Sequence, residues 1–268
     1  MGLCIKRNYG KYMMNLYFLL AALLLPSITI FGQFKITSLI LKRETGQSGF
    51  AFPIVISSNK EVAKKINYYL QTEILDNTVE EVGKERIFEK TRFIQNNEIS
   101  QSGHTSIEYA VGVNTHQVFS LQFDMEGMGA YPTNYHRYYN FNTKTGEIIL
   151  AKNLFTAQGL TWITKVIIID RKKRIDAWIR ELDTMYEKSE DYDSIFIHEK
   201  FVECNNNADE DNFFINNNTI LFYKEDCFPH AWQAFETNLN IEIGFKEIEQ
   251  HLSEPGKKLL YNRRKEKK

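Results

Sequence analysis

Two runs in the middle of the chain alternate strictly between apolar and polar positions: Ile107, Tyr109, Val111 and Val113, then Phe119, Leu121, Phe123 and Met125. Side chains two apart share one face of a strand, so each run predicts a strand with one buried face. Asn114-Thr115-His116 is a tight connection between them. A third run, Tyr135, Arg137, Tyr139 and Phe141, ends in the turn Asn142 to Glu147 that leads into Ile148 to Leu150. The expectation is an antiparallel meander of three or four strands, and this meander is what the rest of the chain must cover.

The flanking segments supply the cover. Ile36 to Lys42 and Phe50 to Ile56 read as a hairpin across Thr45-Gly46-Gln47-Ser48-Gly49. Ser58 and Glu61 have capping-box spacing, and Val62, Ile66, Leu70 and Ile74 follow at helical spacing to near Asn77. After the meander, Leu160, Ile163, Ile167, Ile175, Trp178, Leu182 and Met185 share a helical face from about Ala157 to Tyr186. Arg171 and Arg174 interrupt that face, and a break near Asp170 is expected.

Further on, Ile195 to Val202, Phe213 to Ile215, Ile220 to Tyr223 and Leu239 to Ile243 read as strands, and Phe245 to Leu252 as a last helix. Strands and helices segregate along the chain, which predicts an α+β fold: a mostly antiparallel sheet covered by one long helix, with a small N-terminal strand-helix module. The expected organisation is a signal peptide at 1–32, the strand-helix module at 33–100, the main α+β domain at 101–256 and a basic tail at 257–268.

The N-terminus points to export. Lys6, Arg7 and Lys11 precede the ten-residue apolar run Leu16 to Leu25, which Pro26 ends, and Gly32 offers a cleavage position. Ile30 is a poor match to the small residue expected near such a site, so a retained anchor is the alternative to cleavage. Cys4 lies before the apolar run, where it cannot be the lipid-accepting cysteine of a lipoprotein signal. No later apolar run reaches the about 18 residues that a membrane span needs. The expected location is periplasmic or secreted.

Hydrophobic residues at 43% and charged residues at 25% exclude wholesale disorder. A net charge of -1 gives no global attraction to phosphate backbones, so a nucleic-acid partner is not expected. Past the leader only Cys204 and Cys227 remain, an even pair that favours one disulfide in an oxidising compartment. Two free thiols are one alternative. A zinc set completed by His198 and His230 is another, although its His-x5-Cys spacing is not a standard one.

The order of these pieces, with several short motifs, resembles the RsiV-like extracytoplasmic domain of unknown function, the C-terminal domain of lysozyme-binding anti-sigma factors, together with its usual preceding strand-helix module. The residues that carry the likeness span roughly 50 to 250. They are Phe52-Pro53-Ile54, Asn67, Gly127-Met128-Gly129-Ala130-Tyr131-Pro132, Tyr139 to Gly146, Leu150 to Phe155, and Ile220 to Tyr223. Against the family pattern, Met128 replaces a Gly, Tyr131 a His, and Asn142 and Asn153 each an Asp. The resemblance implies a sensing or binding domain outside the membrane whose ligand is a cell-wall glycan or a lysozyme-like protein. Only 12 residues precede Met13, where the apolar stretch begins, so a cytoplasmic sigma-binding domain is not expected, nor is a catalytic companion domain.

The candidate ligand-binding residues are Met128, Tyr131, Tyr135 and Tyr138, around the loop between two meander strands, and Trp232 just after Cys227. Aromatic faces there could stack on sugar rings or anchor a protein, while the glycines and Pro132 could equally be a structural turn. The competing reading is a glycan-active hydrolase. Asp124 and Glu126 share a strand face, and His136 from the next strand would be the third member. No catalytic residue, cofactor or metal is assigned from the sequence, which contains no nucleophile elbow, His-Glu-x-x-His helix or phosphate-cradling loop.

Overall fold

The computed structural model describes residues 34–41, 49–75, 94–95, 98–99, 103–128, 131–187 and 192–261. The leader with its cleavage position, the turn around Thr45, the Gly129-Ala130 step and the basic residues after Tyr261 lie outside them.

The chain folds as α+β. Strands β1 (Lys35–Leu41), β2 (Phe50–Ile56), β5 (Gly103–Asn114), β6 (Val118–Met128) and β7 (Pro132–Asn142) form a five-stranded sheet in that order. Two short strands, β3 (Ile94–Gln95) and β4 (Glu98–Ile99), pair only with each other. Every neighbour in the large sheet is antiparallel except β2 and β5, which run parallel with Phe50 opposite Ile107. The hairpin and the meander are thus joined edge to edge in one sheet.

Helix α1 (Lys60–Leu75) covers the inner face of this sheet. Its Val62, Ile66, Leu70 and Ile74 share a buried cluster with Phe52, Ile107, Phe119, Leu121, Phe123 and Phe141, so the alternation read for β6 is the one that is buried. In β5 it fails past Tyr109: Val111 is exposed, and after a register shift between Val111 and Asn114 the side chain of Val113 packs in a different cluster. Asn59 caps the helix in place of the expected Ser58, its Oδ1 accepting from Val62 N at 3.3 Å. In the turn after β7, Asn142 Oδ1 accepts from Lys144 N at 2.9 Å and Gly146 takes φ +70°, a backbone angle that favours glycine. A short helix, α2 (Ala151–Leu154), then turns the chain. Asn153 Oδ1 accepts from Leu150 N at 2.7 Å there. Asn142 and Asn153 thus each use the side-chain oxygen to close a turn.

The long helix α3 (Ala157–Met185) is unbroken at Asp170. It does not lie over the face that α1 covers. Its Ile163 and Ile167 pack in a second cluster with a three-stranded sheet made of β8 (Phe213–Ile215), β9 (Thr219–Phe222) and β10 (Ile241–Gly244). Leu160 packs against that cluster, Trp178 against a third one, and Met185 is exposed. The expected interruption at Arg171 is a fully buried guanidinium. It donates to the carbonyls of Leu239 (3.1 Å), Ala208 (2.8 Å) and Tyr223 (3.2 Å), tying three loop segments to the helix.

Residues 195–202, expected as a strand, lie in helix α4 (Ser194–Cys204). Asp193 caps it by accepting from Phe196 N at 3.0 Å. Ile195, Ile197 and Phe201 would share one face of a strand, yet Ile195 is 73% exposed while Ile197 and Phe201 are fully buried. The four-residue spacing of Ile197 and Phe201 meets α3 and Phe228, and that packing outweighs the β-rich local composition.

Residues 245–252 begin as the short helix α5 (Phe245–Ile248) and continue as a 3-10 turn at Glu249–His251. A further helix, α6 (Glu254–Tyr261), occupies the start of the stretch expected as a tail. Ser253 caps it, and Leu259 and Leu260 bury in the second cluster.

Candidate functional site

Among the described residues, strand β8 covers one end of the outer face of the large sheet, and polar side chains arrange that cover. Asn140 Nδ2 donates to Phe213 O at 2.6 Å while its Oδ1 accepts from Ile215 N at 2.9 Å. Ser120 donates to Ile215 O at 2.7 Å. Gly112 leaves room for Phe214: a Cβ there would lie 2.1 Å from that ring. Strand β8 is thereby docked across β5, β6 and β7, and β9 beside it delivers Tyr223 to the outer face.

Next to this dock stands a row of polar side chains. Gln122, Asp124 and Glu126 of β6 face outward, paired in register with Tyr138, His136 and Asn134 of β7. His136 Nδ1 and Asp124 Oδ1 share a hydrogen bond, and Gln122 Nε2 donates to the same carboxylate oxygen at 2.8 Å. The Asp124 and His136 side chains are 42% and 40% exposed. Glu126 turns to the other neighbour, accepting from Thr105 Oγ1 at 2.7 Å. The three residues of the hydrolase reading therefore share an open sheet face, with Asp124 and His136 brought together and Glu126 engaged elsewhere.

Aromatic rings wall the row. Tyr138 lies 5.1 Å from Tyr223 and 5.5 Å from Phe214 between ring centroids, and His136 meets Tyr223 at 5.6 Å. Burial, then the Asp124 charge, pushes the Tyr138 hydroxyl up to about 12. Burial, then Asp226, raises that of Tyr223. Both stay protonated at neutral pH. Arg137 closes the edge with an ion pair to Glu225 at 2.5 Å.

The sequence-derived binding candidates are spread over the molecule. Tyr131 stands at the tip of the sheet, 62% exposed, and Met128 ends β6 beside it. Tyr135 belongs to the inner face, where its hydroxyl bonds His104 Nδ1 at 2.5 Å and Arg137 lies 5.4 Å over its ring. Tyr138 is three residues on and so on the opposite face. Trp232 is remote from all of these, packed against Phe196 at 4.8 Å and Phe235 at 5.7 Å. Tyr223 and Gln122 are not among the sequence-derived binding candidates. Gln122 was visible as the next outward position before Asp124, whereas nothing local marks Tyr223, whose place depends on the docking of β8.

Cys204 and Cys227 form a disulfide with Cα atoms 5.5 Å apart, joining the end of helix α4, not a strand, to the segment after Tyr223. The bond leaves the zinc alternative without its thiolates. His198 instead lines a cavity of about 250 Å³ between α3 and α4, with Lys172, Asp176 and Asn205. Among the described residues no cluster of His, Cys, Asp and Glu could hold a metal, and no helix is long and apolar enough to cross a membrane.

No protein-family model matches the sequence, and no curated protein matches it. Solved structures do. A DUF3298 family member from Bacteroides fragilis superposes with a TM-score of 0.51 at 13% identity, over 84% of this chain and 95% of that one. A DUF3298 family protein from Pseudomonas aeruginosa gives 0.44 at 7% identity, over 83% and 94%. The first of these establishes the class: the fold is similar to that of DUF3298 proteins, a family defined without a known function.

Proposed function

We propose that the chain is an exported, non-catalytic binding or sensing protein of the cell envelope, of the RsiV-like kind. Residues 1–32 serve as its export signal, and a cell-wall glycan or a lysozyme-like protein is its ligand in the periplasm or outside the cell. The observation that carries this reading is the setting of Asp124. Its carboxylate is held by His136 and Gln122 on an open, two-fifths exposed sheet face beside aromatic rings. Catalytic carboxylates need environments that drive their pKa values apart, and a solvated face supplies no such contrast. Polar side chains flanked by aromatic rings do supply directional hydrogen bonds and apolar contact to a bound surface. The disulfide accords with an oxidising compartment.

Tyr131, exposed at the sheet tip, is the second contact in this account. The test is a pull-down with insoluble peptidoglycan and with immobilised lysozyme, repeated with Tyr131→Ala. Retention on at least one matrix, weakened in Tyr131→Ala, is the expected outcome. Retention on neither contradicts the function, and retention indifferent to Tyr131 removes that residue from it.

A further inference from the structure

The outer sheet face holds hydrogen-bonding groups that the fold does not use. Tyr223 is only 7% exposed, yet its hydroxyl has no hydrogen-bond partner among the described residues and is not sealed in the interior. The Tyr138 hydroxyl is likewise without a partner among them. Asp124 receives both His136 and Gln122 on Oδ1, which leaves Oδ2 open. Two phenols held protonated by burial and one half-used carboxylate converge from β6, β7 and the end of β9. The Tyr223 ring is buried while its hydroxyl reaches the surface, so in the free protein water serves that hydroxyl and a ligand oxygen can take the water's place.

We propose that this place is a sugar subsite: Asp124 Oδ2 accepts from a hydroxyl of one pyranose residue, the Tyr138 and Tyr223 hydroxyls bond its neighbouring oxygens, and the Tyr138 ring contacts its C–H face. The inference rests on the glycan reading above and gives it a location that is distinct from Tyr131. Tyr131, just before β7, is seven positions from Tyr138, about 23 Å at 3.3 Å per strand residue.

Chemistry favours a sugar over a basic peptide. Each phenol both donates and accepts, whereas the side chains of lysine and arginine offer donors only and so answer only the accepting half of this set. Sugar hydroxyls both donate and accept, which suits a carboxylate acceptor beside phenolic donors.

The test uses glycan strands freed from peptidoglycan by amidase, titrated calorimetrically into the wild type, Tyr138→Phe and Tyr223→Phe. Each variant removes one oxygen and leaves the ring packing intact, and circular dichroism checks the fold. The expected result is a loss of affinity of about fivefold or more in each. Wild-type binding that both variants retain in full overturns the subsite while glycan binding stands. No wild-type binding of the strands overturns the glycan reading and the subsite together. Binding of oligolysine that is weakened in both variants overturns the sugar in favour of a basic partner.

Discussion

The side-chain amide of Asn67 brackets Val55, accepting from its N–H and donating to its carbonyl, both at 2.8 Å. One residue of α1 thereby replaces a strand neighbour for β2 and sets how the helix lies on the sheet. Asn67→Ala leaves two buried backbone groups unpaired, and the expected cost is about 2–3 kcal/mol. Urea unfolding measures it as a lower midpoint at unchanged slope. A change within a few tenths of a kcal/mol would mean that the helix is held by its apolar face alone.

Arg171 is the corresponding staple for the other half of the molecule. Burial pulls its pKa down to about 10, against the opposing charge of Asp209, so it stays charged at neutral pH. Arg171→Met keeps the bulk of the stem but orphans the carbonyls of Leu239, Ala208 and Tyr223, with an expected loss of about 3 kcal/mol or more. The same variant releases the segment carrying Tyr223, so hydrogen exchange at residues 223–228 is expected to accelerate.

How much of this was legible in the sequence follows from how local each signal is. The meander and α1 were readable because period-two and period-3.6 patterns report directly on Phe119, Phe123, Ile66 and Leu70, all of which are buried. Helix α4 was not, since Ile197 and Phe201, four apart, satisfy both periods and their packing against α3 and Phe228 decides between them. Helix α6 was missed although Ser253, Glu254 and Pro255 form a legible start. The polar half of the site, Asp124 with His136, was visible as strand neighbours. Its aromatic half depends on Asn140 and Ser120 docking β8, a long-range event without a local signature.

Gly256 shows how closely α6 meets the corner after β7. A Cβ there would lie 2.0 Å from Leu154 O, a backbone atom that cannot move aside. Gly256→Ala is expected to destabilise by about 1–3 kcal/mol in urea or thermal unfolding. A neutral result would mean that this helix is not docked in solution.

The disulfide between Cys204 and Cys227 spans 23 positions of sequence, and in the chain-entropy account its loss costs roughly 3 kcal/mol. Dithiothreitol is expected to lower the melting temperature of the wild type and to leave a Cys204→Ser, Cys227→Ser double variant unaffected. An equal effect on both would assign the change to something other than this bond.

His104 links stability to pH. Burial, the largest cause, depresses its pKa, with Arg137 adding in the same direction and a backbone hydrogen bond opposing. The unfolded chain therefore takes up the proton first as pH falls through about 6.5, and folding stability drops from there toward the lower folded value. His104→Gln is expected to flatten that part of the wild-type curve, read as the difference between the two proteins in urea titrations at pH 7.5 and at mildly acidic pH. Parallel curves would exclude His104 as the source.

The central claim is binding without turnover, and one sample can report both. The protein is mixed with peptidoglycan sacculi, the sedimented fraction is measured, and new reducing ends in the supernatant are counted. Saturable co-sedimentation with reducing ends at the level of a protein-free blank is the result this account expects. Reducing ends released by the wild type and abolished in Asp124→Asn would contradict it and install the hydrolase reading in its place.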